Sequence, residues 1–575
     1  MRRALLAVLS LVAALVAPAV AEPPPLTTWP YRAGYVTMAD GTELRYVVFL
    51  PSATGSFPTV LEYDGYSAGT NPAAGGPTQL GERMLAKGYA VLGVNTRGSG
   101  CSGGDFDPFS DRDAQDGHDV VEWAASQPWS TGDVGMWGIS MPAILSLKVA
   151  ALRPPHLRAI SPGAALSDFY RDVAYPGGIL NAGFVGAWTG LQKAVSYQDN
   201  ALVVAEDDGD PRCLAYTAGH QPPDKVVAER VAANPYAEDP FWARSFSDRI
   251  GDIDVPVLSL SAWQDEQVSA RVTGAYQALD PATSWHVVTN GNHGVSASAA
   301  DFLDLQERFF DRFVAGVANG FETTPHVQVW HELQAPSYVP RWVTPHAAWP
   351  TPAATTYHLT ADGRLTPAAP VAAGSATYAY PLPAGNAASA GYDTEIVAWH
   401  VPGYGVSFTT DAFAAPVELF GPASADLWVS STATDTDLQV TLTEVRADGS
   451  ETYVQRGWLR ASHRALDASS TALRPVHPHT RASVAPLVAG TPTPVRVEVF
   501  AAGHVFRAGS RLRLSVEAPA SATGMRAFTL IPTPALNTVH TGGLTPSRLV
   551  VGTIPATGVV AAYPECDTLV NQPCR

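Results

Sequence analysis

Residues 134–152 constrain this chain more than any other segment. An apolar strand over residues 134–139 ends at Ser140, and an apolar helix begins within the next two residues. This junction needs a sharp turn, which Gly138 permits because it has no Cβ. Pro142 suits the first helical turn, where a missing N–H leaves no hydrogen bond unmade. We therefore expect Ser140 at the tip of a strained turn, with its hydroxyl clear of the backbone.

Short apolar strands alternate with helices on both sides of this junction. Strands are predicted at residues 58–63, 89–96, 134–139, 255–263 and 285–290, and helices at residues 81–87, 116–126, 143–152 and 301–313. This alternation is typical of a doubly wound, mostly parallel sheet. A serine at such a strand–helix turn favours the α/β-hydrolase fold, whose usual Gly-x-Ser-x-Gly elbow differs only in having glycine where this chain has Pro142.

The chain of 575 residues is too long for a single core. The pattern of predicted secondary structure changes twice along it. Residues 168–245 lack short apolar strands and predict a mostly helical cap inserted into the first domain. From residue 326, alternating strands separated by Gly, Pro and Asp predict an all-β jelly roll of the galactose-binding-like type. We therefore assign residues 22–325 to an α/β-hydrolase domain and residues 326–575 to the jelly roll.

Composition excludes several function classes. The net charge is −17, and no basic block follows the extreme N-terminus, so nucleic acid is not an expected partner. With 46% hydrophobic and 15% charged residues, the chain is typical of a well-packed globular protein. No Cys-x-x-Cys and no His-x-x-x-His pattern occurs, so we expect neither a metal nor another cofactor.

The N-terminus has the pattern of a signal peptide. Arg2 and Arg3 precede an apolar run over residues 4–16, and small residues at 19–21 form a cleavage site before Glu22. The run is too short to favour a retained membrane anchor, which is the alternative interpretation. We expect residues 1–21 to be removed and the mature protein to be secreted, with no membrane association.

The four cysteines fit an oxidising compartment. Cys566 and Cys574 lie close together and are expected to close a small loop. Cys101 and Cys213 are candidates for a second disulfide, although their wide separation leaves open that either is a buried thiol.

A nucleophilic serine needs a base to take its proton and an acid to orient that base. In this fold the acid and then the histidine follow the serine in chain order, each just beyond a strand. The strand at 255–263 is followed by Asp265, and the strand at 285–290 is followed by His293, so we predict Ser140, Asp265 and His293 as the triad.

Three other residues are alternatives for the triad. Glu266 adjoins Asp265, and position alone favours the aspartate only modestly. His286 lies within a strand and is interpreted as a core histidine. His118 is placed near a helix start, far from the expected triad position.

Five motifs of the chain carry a family resemblance: residues 88–98, residues 116–140, residues 261–265, residues 456–460 and residues 504–514. Together they resemble the cocaine esterase / X-Pro dipeptidyl-peptidase group of serine hydrolases, with Asn95 where that group has Asp. Because these motifs span nearly the whole mature chain, the resemblance is more specific than the serine turn alone. It implies hydrolysis of an ester, amide or short peptide substrate through an acyl-enzyme.

The resemblance also implies a tyrosine hydroxyl in the oxyanion hole. Tyr66 best matches that position, with Tyr63 as the alternative in the same loop. The second donor would be the backbone N–H of Met141, where the group usually has tyrosine.

Two features bear on the substrate. Gln267 stands where the cocaine-cleaving relative has an aromatic residue, which argues against an aromatic acyl pocket of that kind. The acidic run at 206–210 would suit the free amine of an Xaa-Pro peptide, but such runs are more often solvated loops. We therefore favour ester hydrolysis over dipeptide release, and both over a secreted binding protein that has lost catalysis.

Overall fold

The computed structural model describes residues 29–66, 68–69, 76–193, 209–383, 401–519 and 525–575. The predicted signal peptide, residues 1–21, lies outside these ranges. The first ten strands form one sheet: β1 (Tyr31–Thr37), β2 (Glu43–Phe49), β3 (Phe57–Asp64), β4 (Ala90–Asn95), β5 (Ser130–Ile139), β6 (Leu157–Gly163), β7 (Val257–Ala262), β8 (Ser284–Thr289), β9 (Val327–His331) and β10 (Trp342–His346).

This sheet has the order β1-β2-β4-β3-β5-β6-β7-β8-β9-β10. Its centre, from β4 to β9, is parallel, and antiparallel pairs close both edges. Strands β7 and β8 are buried along their whole length, which explains why they are nearly continuous apolar runs. Strand β5 lies mid-sheet, so its carboxyl end presents Ser140 between neighbouring loops.

Nine α-helices accompany the strands in the described part of the chain: α1 (Gln79–Ala86), α2 (Asp111–Ala125), α3 (Met141–Ala150), α4 (Ala182–Lys193), α5 (Pro211–Gly219), α6 (Arg230–Ala233), α7 (Val272–Tyr276), α8 (Val295–Ser298) and α9 (Ala300–Phe313). Within these ranges, every helix is too short or too polar to span a bilayer. Helix α3 is buried along its whole length, as its apolar sequence predicts.

The predicted cap is mostly helical in its described part. Between residues 168 and 245 the structure contains α4, α5, α6 and several single helical turns, and none of the named strands. Residues 194–208 of the cap lie outside the described residues. Cys101 and Cys213 form a disulfide that joins the loop after β4 to α5.

The first sheet extends beyond the predicted domain boundary. Strand β9 pairs in parallel with β8, and β10 returns antiparallel to β9, so the sheet continues past residue 325 to His346. A hairpin at a sheet edge has the same alternating pattern as a strand of an all-β domain. The prediction that these residues belong to the all-β domain is therefore wrong, because it depended on the alternating hydrophobic pattern alone.

The remaining strands form an eleven-stranded all-β unit with its own apolar core. They are β11 (Ala353–Leu359), β12 (Arg364–Thr366), β13 (Gly374–Tyr380), β14 (Gly405–Thr410), β15 (Val417–Ser431), β16 (Asp437–Val445), β17 (Glu451–Arg460), β18 (Thr493–Phe506), β19 (Arg511–Glu517), β20 (Ala535–Thr541) and β21 (Arg548–Ile554). After β21, a disulfide between Cys566 and Cys574 closes a small loop.

Candidate active site

Ser140 occupies the strained turn that the sequence predicts. Its φ of 67° and ψ of −121° lie in a region that side chains other than glycine rarely adopt. The Ser140 N–H donates to Gly163 O at 3.0 Å, and Ser140 O accepts from the Ile144 N–H at 2.9 Å. These bonds tie the turn to β6 on one side and to α3 on the other.

Pro142 and Gly138 are matched in this turn. Gly138 has a φ of 155°, and a Cβ on it would lie 2.4 Å from Pro142 Cβ. The proline ring therefore occupies space that the missing side chain of Gly138 leaves open. Gly138 therefore accommodates Pro142, the departure from the usual elbow motif.

The structure brings Asp265 and His293 into direct contact. His293 Nδ1 lies 2.9 Å from Asp265 Oδ2 and 3.1 Å from Oδ1. Asp265 Oδ1 also accepts the backbone N–H groups of Gln267 and Val268 at 2.9 and 3.0 Å. A carboxylate held in this way keeps the proton of a neutral imidazole on Nδ1, so Nε2 is the atom that can act as a base.

The other carboxylate and histidines have different surroundings. Glu266 Oε2 accepts the backbone N–H of His293 at 3.3 Å, so this carboxylate acts on the histidine loop. His286 lies 2.8 Å from Ser259 Oγ and stacks on Tyr276, and burial lowers its pKa to about 3. His118 lies inside α2 beside Asp119.

The two candidate oxyanion tyrosines point to different places. Tyr63 is fully buried, and its ring packs on Gly117 of α2. Tyr66 Oη accepts a hydrogen bond from Trp188 Nε1 at 2.9 Å, and Trp188 lines the same cavity as Ser140. The cap residue Trp188 thus places the Tyr66 hydroxyl at the cavity wall, which favours Tyr66 as the donor.

A buried carboxyl supports the loop that carries Tyr66. Asp64 Oδ1 accepts the N–H groups of Tyr66 and Ala68 at 3.0 and 3.1 Å. Burial raises the pKa of Asp64 to about 7, against the opposing effect of these two hydrogen bonds. The Asn95 side chain donates to Tyr66 O at 3.4 Å and closes the loop from the other side.

Met141 follows Ser140 directly, and its relevance to the site lies in its backbone N–H rather than in its thioether. It is the first residue of α3, where backbone N–H groups have no acceptor within the helix. Its thioether packs so closely on Gly65 that a Cβ there would lie 2.9 Å from Met141 Cε. Gln192 of α4 donates to the sulfur at 3.6 Å, which connects this residue to the cap.

An apolar cavity lies beside Ser140. Its walls are mainly aromatic and aliphatic: Pro108, Phe109, Ile144, Leu166, Phe169, Val173, Ala174, Phe184, Val185, Trp188, Val227, Val231, Phe241, Trp242 and Val268. The rings come from the cap and from the loop before α2, and Gln267 is absent from the lining. Sequence patterns carry no signal for this aromatic wall, because those segments are distant in sequence from the turn that carries Asp265.

The only charged residue among the described residues of this lining is Arg244. Its guanidinium donates to Phe241 O at 2.6 Å, to Pro108 O at 2.5 Å and to Asp107 at 3.2 Å. These acceptors engage all three of its nitrogens and hold the side chain in the wall. Arg244 therefore reinforces the cavity instead of presenting a charge to its contents.

The acidic run of the cap lies mostly outside the described residues. Of residues 206–210, only Gly209 and Asp210 are described. Asp210 accepts the Arg212 N–H at the start of α5 and lies 3.6 Å from the Arg45 guanidinium. It is absent from the cavity lining. Across the described ranges, no group of three or more His, Cys, Asp or Glu residues is placed to hold a metal ion.

Two family models match the chain. Residues 40–295 match the X-Pro dipeptidyl-peptidase (S15 family) model, and residues 319–550 match the X-Pro dipeptidyl-peptidase C-terminal non-catalytic domain. A solved structure of a CocE/NonD family hydrolase from Staphylococcus aureus is 27% identical, with a TM-score of 0.74 over 91% of this chain and 93% of that chain.

Curated relatives cover similar lengths. A Mycobacterium bovis protein whose name carries a provisional serine esterase assignment is 26% identical over 577 residues, 84% of this chain and 90% of its own. Cocaine esterase from Rhodococcus sp. is 25% identical over 540 residues, 84% of this chain and 89% of its own.

Fold and site together define a serine hydrolase with an α/β catalytic domain and an all-β second domain. The chain belongs to the CocE/NonD and X-Pro dipeptidyl-peptidase family of these enzymes.

Proposed function

We propose that this protein is an esterase that hydrolyses esters with a bulky apolar acyl group through an acyl-enzyme on Ser140. The apolar cavity beside Ser140 supports this proposal more than any other observation. Its aromatic walls offer a favourable environment for rings and branched chains, since burial of apolar surface is worth about 25 cal/mol per Å². Its one charged lining residue, Arg244, is engaged by the wall itself.

In the proposed reaction, Ser140 Oγ attacks the ester carbonyl while His293 Nε2 takes its proton. Asp265 keeps the other imidazole proton on Nδ1 and stabilises the imidazolium that forms. The Tyr66 O–H and the Met141 N–H donate to the oxyanion, and one such donor is typically worth about 3–4 kcal/mol. His293 then protonates the departing alkoxide. A water molecule, deprotonated by His293, attacks the acyl carbon and releases the acid.

Release of Xaa-Pro dipeptides is the second candidate, and the match to the S15 family model favours it. That activity needs a carboxylate to bind the substrate's free ammonium, because a buried unpaired charge is costly. The described residues of the cavity lining include no carboxylate. Residues 206–208 of the acidic run, the carboxylates predicted for this role, lie outside the described residues.

The test offers p-nitrophenyl acetate, p-nitrophenyl benzoate and Gly-Pro-p-nitroanilide to the wild type and to Ser140→Ala. We expect the benzoate to have the higher kcat/KM of the two esters, and the anilide to give no release. Removal of the nucleophile should lower kcat by about 10⁴-fold or more. Release from the anilide would instead establish the dipeptidyl-peptidase activity.

A fluorophosphonate probe is the control for the reaction class. It should label Ser140 in the wild type and not in the Ser140→Ala variant. A wild type that resists the probe and cleaves none of the three substrates would support the remaining alternative, a binding protein without catalysis.

We also propose that the protein is exported with removal of residues 1–21. The N-terminal pattern supports this, as does the pairing of all four cysteines in two disulfides. The intact mass of protein recovered from the culture medium should correspond to a chain that begins at Glu22. A mass that includes residues 1–21 would contradict the proposal.

A further inference from the structure

The loop closed by Cys566 and Cys574, here called the disulfide loop, lies between the two domains. On one side, the Gln572 side chain donates to Tyr453 O of β17 at 2.9 Å. On the other, the Val570 N–H donates to Leu333 O, just beyond β9, at 3.0 Å. The loop therefore contacts both the all-β domain and the sheet of the catalytic domain.

Asn571, near the tip of the disulfide loop, reaches the turn that carries Asp265. Its Nδ2 donates to Gln264 O at 2.5 Å and to Glu266 Oε2 at 3.2 Å. One side-chain amide thus holds the residues on both sides of the predicted catalytic acid. Asn571 has a φ of 55°, a conformation that asparagine tolerates better than most residues.

The same two residues hold the loop that carries His293. Glu266 Oε2, which accepts from Asn571, also accepts the His293 N–H at 3.3 Å. Gln264 Oε1 accepts the Gly291 N–H at 3.2 Å. The acid turn and the histidine loop are therefore fixed to one another through residues that Asn571 contacts directly.

A second contact connects the disulfide loop with the histidine loop. Asn290 follows β8 and precedes His293 by three residues. Its side-chain amide donates to Val570 O at 3.2 Å and to Leu333 O at 3.0 Å, and its oxygen accepts the Leu333 N–H at 2.6 Å. The disulfide loop is thus in contact with the loops that carry both partners of the Asp265–His293 pair.

We infer that Asn571 is a positioning residue that sets the geometry of the Asp265–His293 pair, and that the Cys566–Cys574 disulfide holds it in place. This inference rests on the proposed function of that pair. Asn571 acts through Gln264 and Glu266, and it is placed to fix the loop that carries His293 against the turn that carries Asp265. Loss of its amide should reduce the rate of the chemical step and leave substrate binding nearly unchanged.

The test uses two substitutions at Asn571. Asn571→Gly keeps the positive φ and removes the amide, and Asn571→Asp keeps the shape but faces Glu266 and the Gln264 carbonyl with an acceptor. We expect kcat for p-nitrophenyl benzoate to fall about tenfold in the glycine variant and further in the aspartate variant, because misplacement of a catalytic group costs up to about 10²-fold. KM should stay within about twofold.

Thr568→Val is the matched control in the same loop. Thr568 Oγ1 bonds to the Gln334 side chain at 2.9 Å and to Glu565 O, away from the acid turn. This variant should retain wild-type kcat, and all three variants should unfold within about 3 °C of the wild type. Equal losses of kcat and thermal midpoint in all three would overturn the inference, because the loop would then serve stability alone.

The rate of Ser140 labelling by a fluorophosphonate separates this inference from the proposed function. We expect the wild type to label and the two Asn571 variants to label more slowly. A wild type that labels together with Asn571 variants that label at the same rate would overturn only the positioning role. A wild type that does not label at all would overturn the proposed function itself.

Discussion

At the scale of single residues, Trp188 connects the apolar cavity with the loop that carries Tyr66. Its ring lines the cavity, and its indole N–H donates to Tyr66 Oη at 2.9 Å. A phenol oxygen that accepts one hydrogen bond donates its own proton in a direction restricted by that bond. Trp188 therefore restricts where the proposed oxyanion donor points.

We expect Trp188→Phe to lower kcat about fivefold with little change in KM, since phenylalanine keeps the apolar wall but cannot orient the phenol. Tyr66→Phe should lower kcat by about 10²–10³-fold. In the double variant the loss should equal that of Tyr66→Phe alone, because the two side chains act through one hydrogen bond. Steady-state kinetics of the four proteins of this cycle with p-nitrophenyl benzoate measures the coupling.

A multiplicative loss in the double variant would contradict this account. Trp188 would then contribute to the reaction as part of the cavity wall, independently of Tyr66. The individual KM values would identify that case, since a damaged wall weakens substrate binding.

The strained turn at Ser140 and the Asp265–His293 contact were predictable from the sequence because each of these three residues follows a buried strand within a few residues. Their chain order and local pattern carry the information. Trp188 and Asn571 were not predictable in the same way. Each reaches the site from a distant segment, through a contact that no local periodicity records.

At the scale of secondary-structure elements, strand β18 of the all-β domain packs directly on Trp263, which precedes the turn that carries Asp265 (the acid turn). A Cβ on Gly503 would lie 2.4 Å from Trp263 Nε1. The Trp263 carbonyl also accepts from the Gln455 side chain of β17 at 2.7 Å. Two strands of the second domain thus hold the residue that precedes the acid turn.

We expect Gly503→Ala to destabilise the protein by about 1–3 kcal/mol, the usual cost of overpacking, and to lower kcat because the acid turn moves with Trp263. Trp263→Phe removes the edge of the indole that the new methyl group meets. Adding it to Gly503→Ala should restore part of the lost stability and part of the lost kcat. Denaturant unfolding and ester kinetics on the single and double variants provide the measurement.

Gly190→Ala is the control for this pair. Gly190 lies on the exposed side of α4, and a Cβ there meets nothing within 4 Å. Alanine favours the helix by about 1 kcal/mol relative to glycine, so this variant should be at least as stable as the wild type. An equally stable Gly503→Ala variant would show that β18 and the acid loop do not pack as described.

The element order was largely predictable, and the position of the domain boundary was not. Strands β3, β4, β5, β7 and β8 are short apolar runs, which is a strong local signal. Strand β6 was not among the predicted strands. The hairpin of β9 and β10 alternates like the strands that follow it. Only its parallel pairing with β8, a long-range contact, places it in the first sheet.

At the scale of the whole molecule, a buried carboxyl lies where the two sheets meet. Glu418 of β15 is fully buried, and its Oε1 lies 3.8 Å from Nε2 of His331 in β9. Burial raises the pKa of Glu418 to about 8 and, with neighbouring His346, His504 and Arg507, lowers that of His331 to about 3. Both groups are therefore neutral at pH 7 in the folded protein.

This pKa makes the stability of the protein depend on pH. An unfolded chain ionises Glu418 near 4.5, so between about pH 4.5 and pH 8 the folded state holds one more proton. The associated stability is complete below pH 4.5 and is lost as the pH rises to about 8. Glutamine is always neutral, so we expect Glu418→Gln to have the same free energy of unfolding as the wild type near pH 5. As the pH rises, the free energy of unfolding of the variant should exceed that of the wild type by up to about 1.4 kcal/mol more per pH unit.

Denaturant unfolding at pH 5, 6.5 and 8 measures this difference. Glu229→Gln is the control, since Glu229 is exposed on the cap and should show a constant difference from the wild type. A constant difference for Glu418→Gln as well would mean that the carboxyl is ionised throughout this range.

The contacts of Gln264 limit which chimeras can be made by joining domains of related proteins. Its side chain donates to Val454 O of β17 and accepts from Gly291, while its carbonyl accepts from Asn571. A chimera that joined this catalytic domain to the second domain of a relative would inherit both folds and lose this three-way match. We therefore expect a functional chimera only if this catalytic domain keeps its own disulfide loop and its own strand β17.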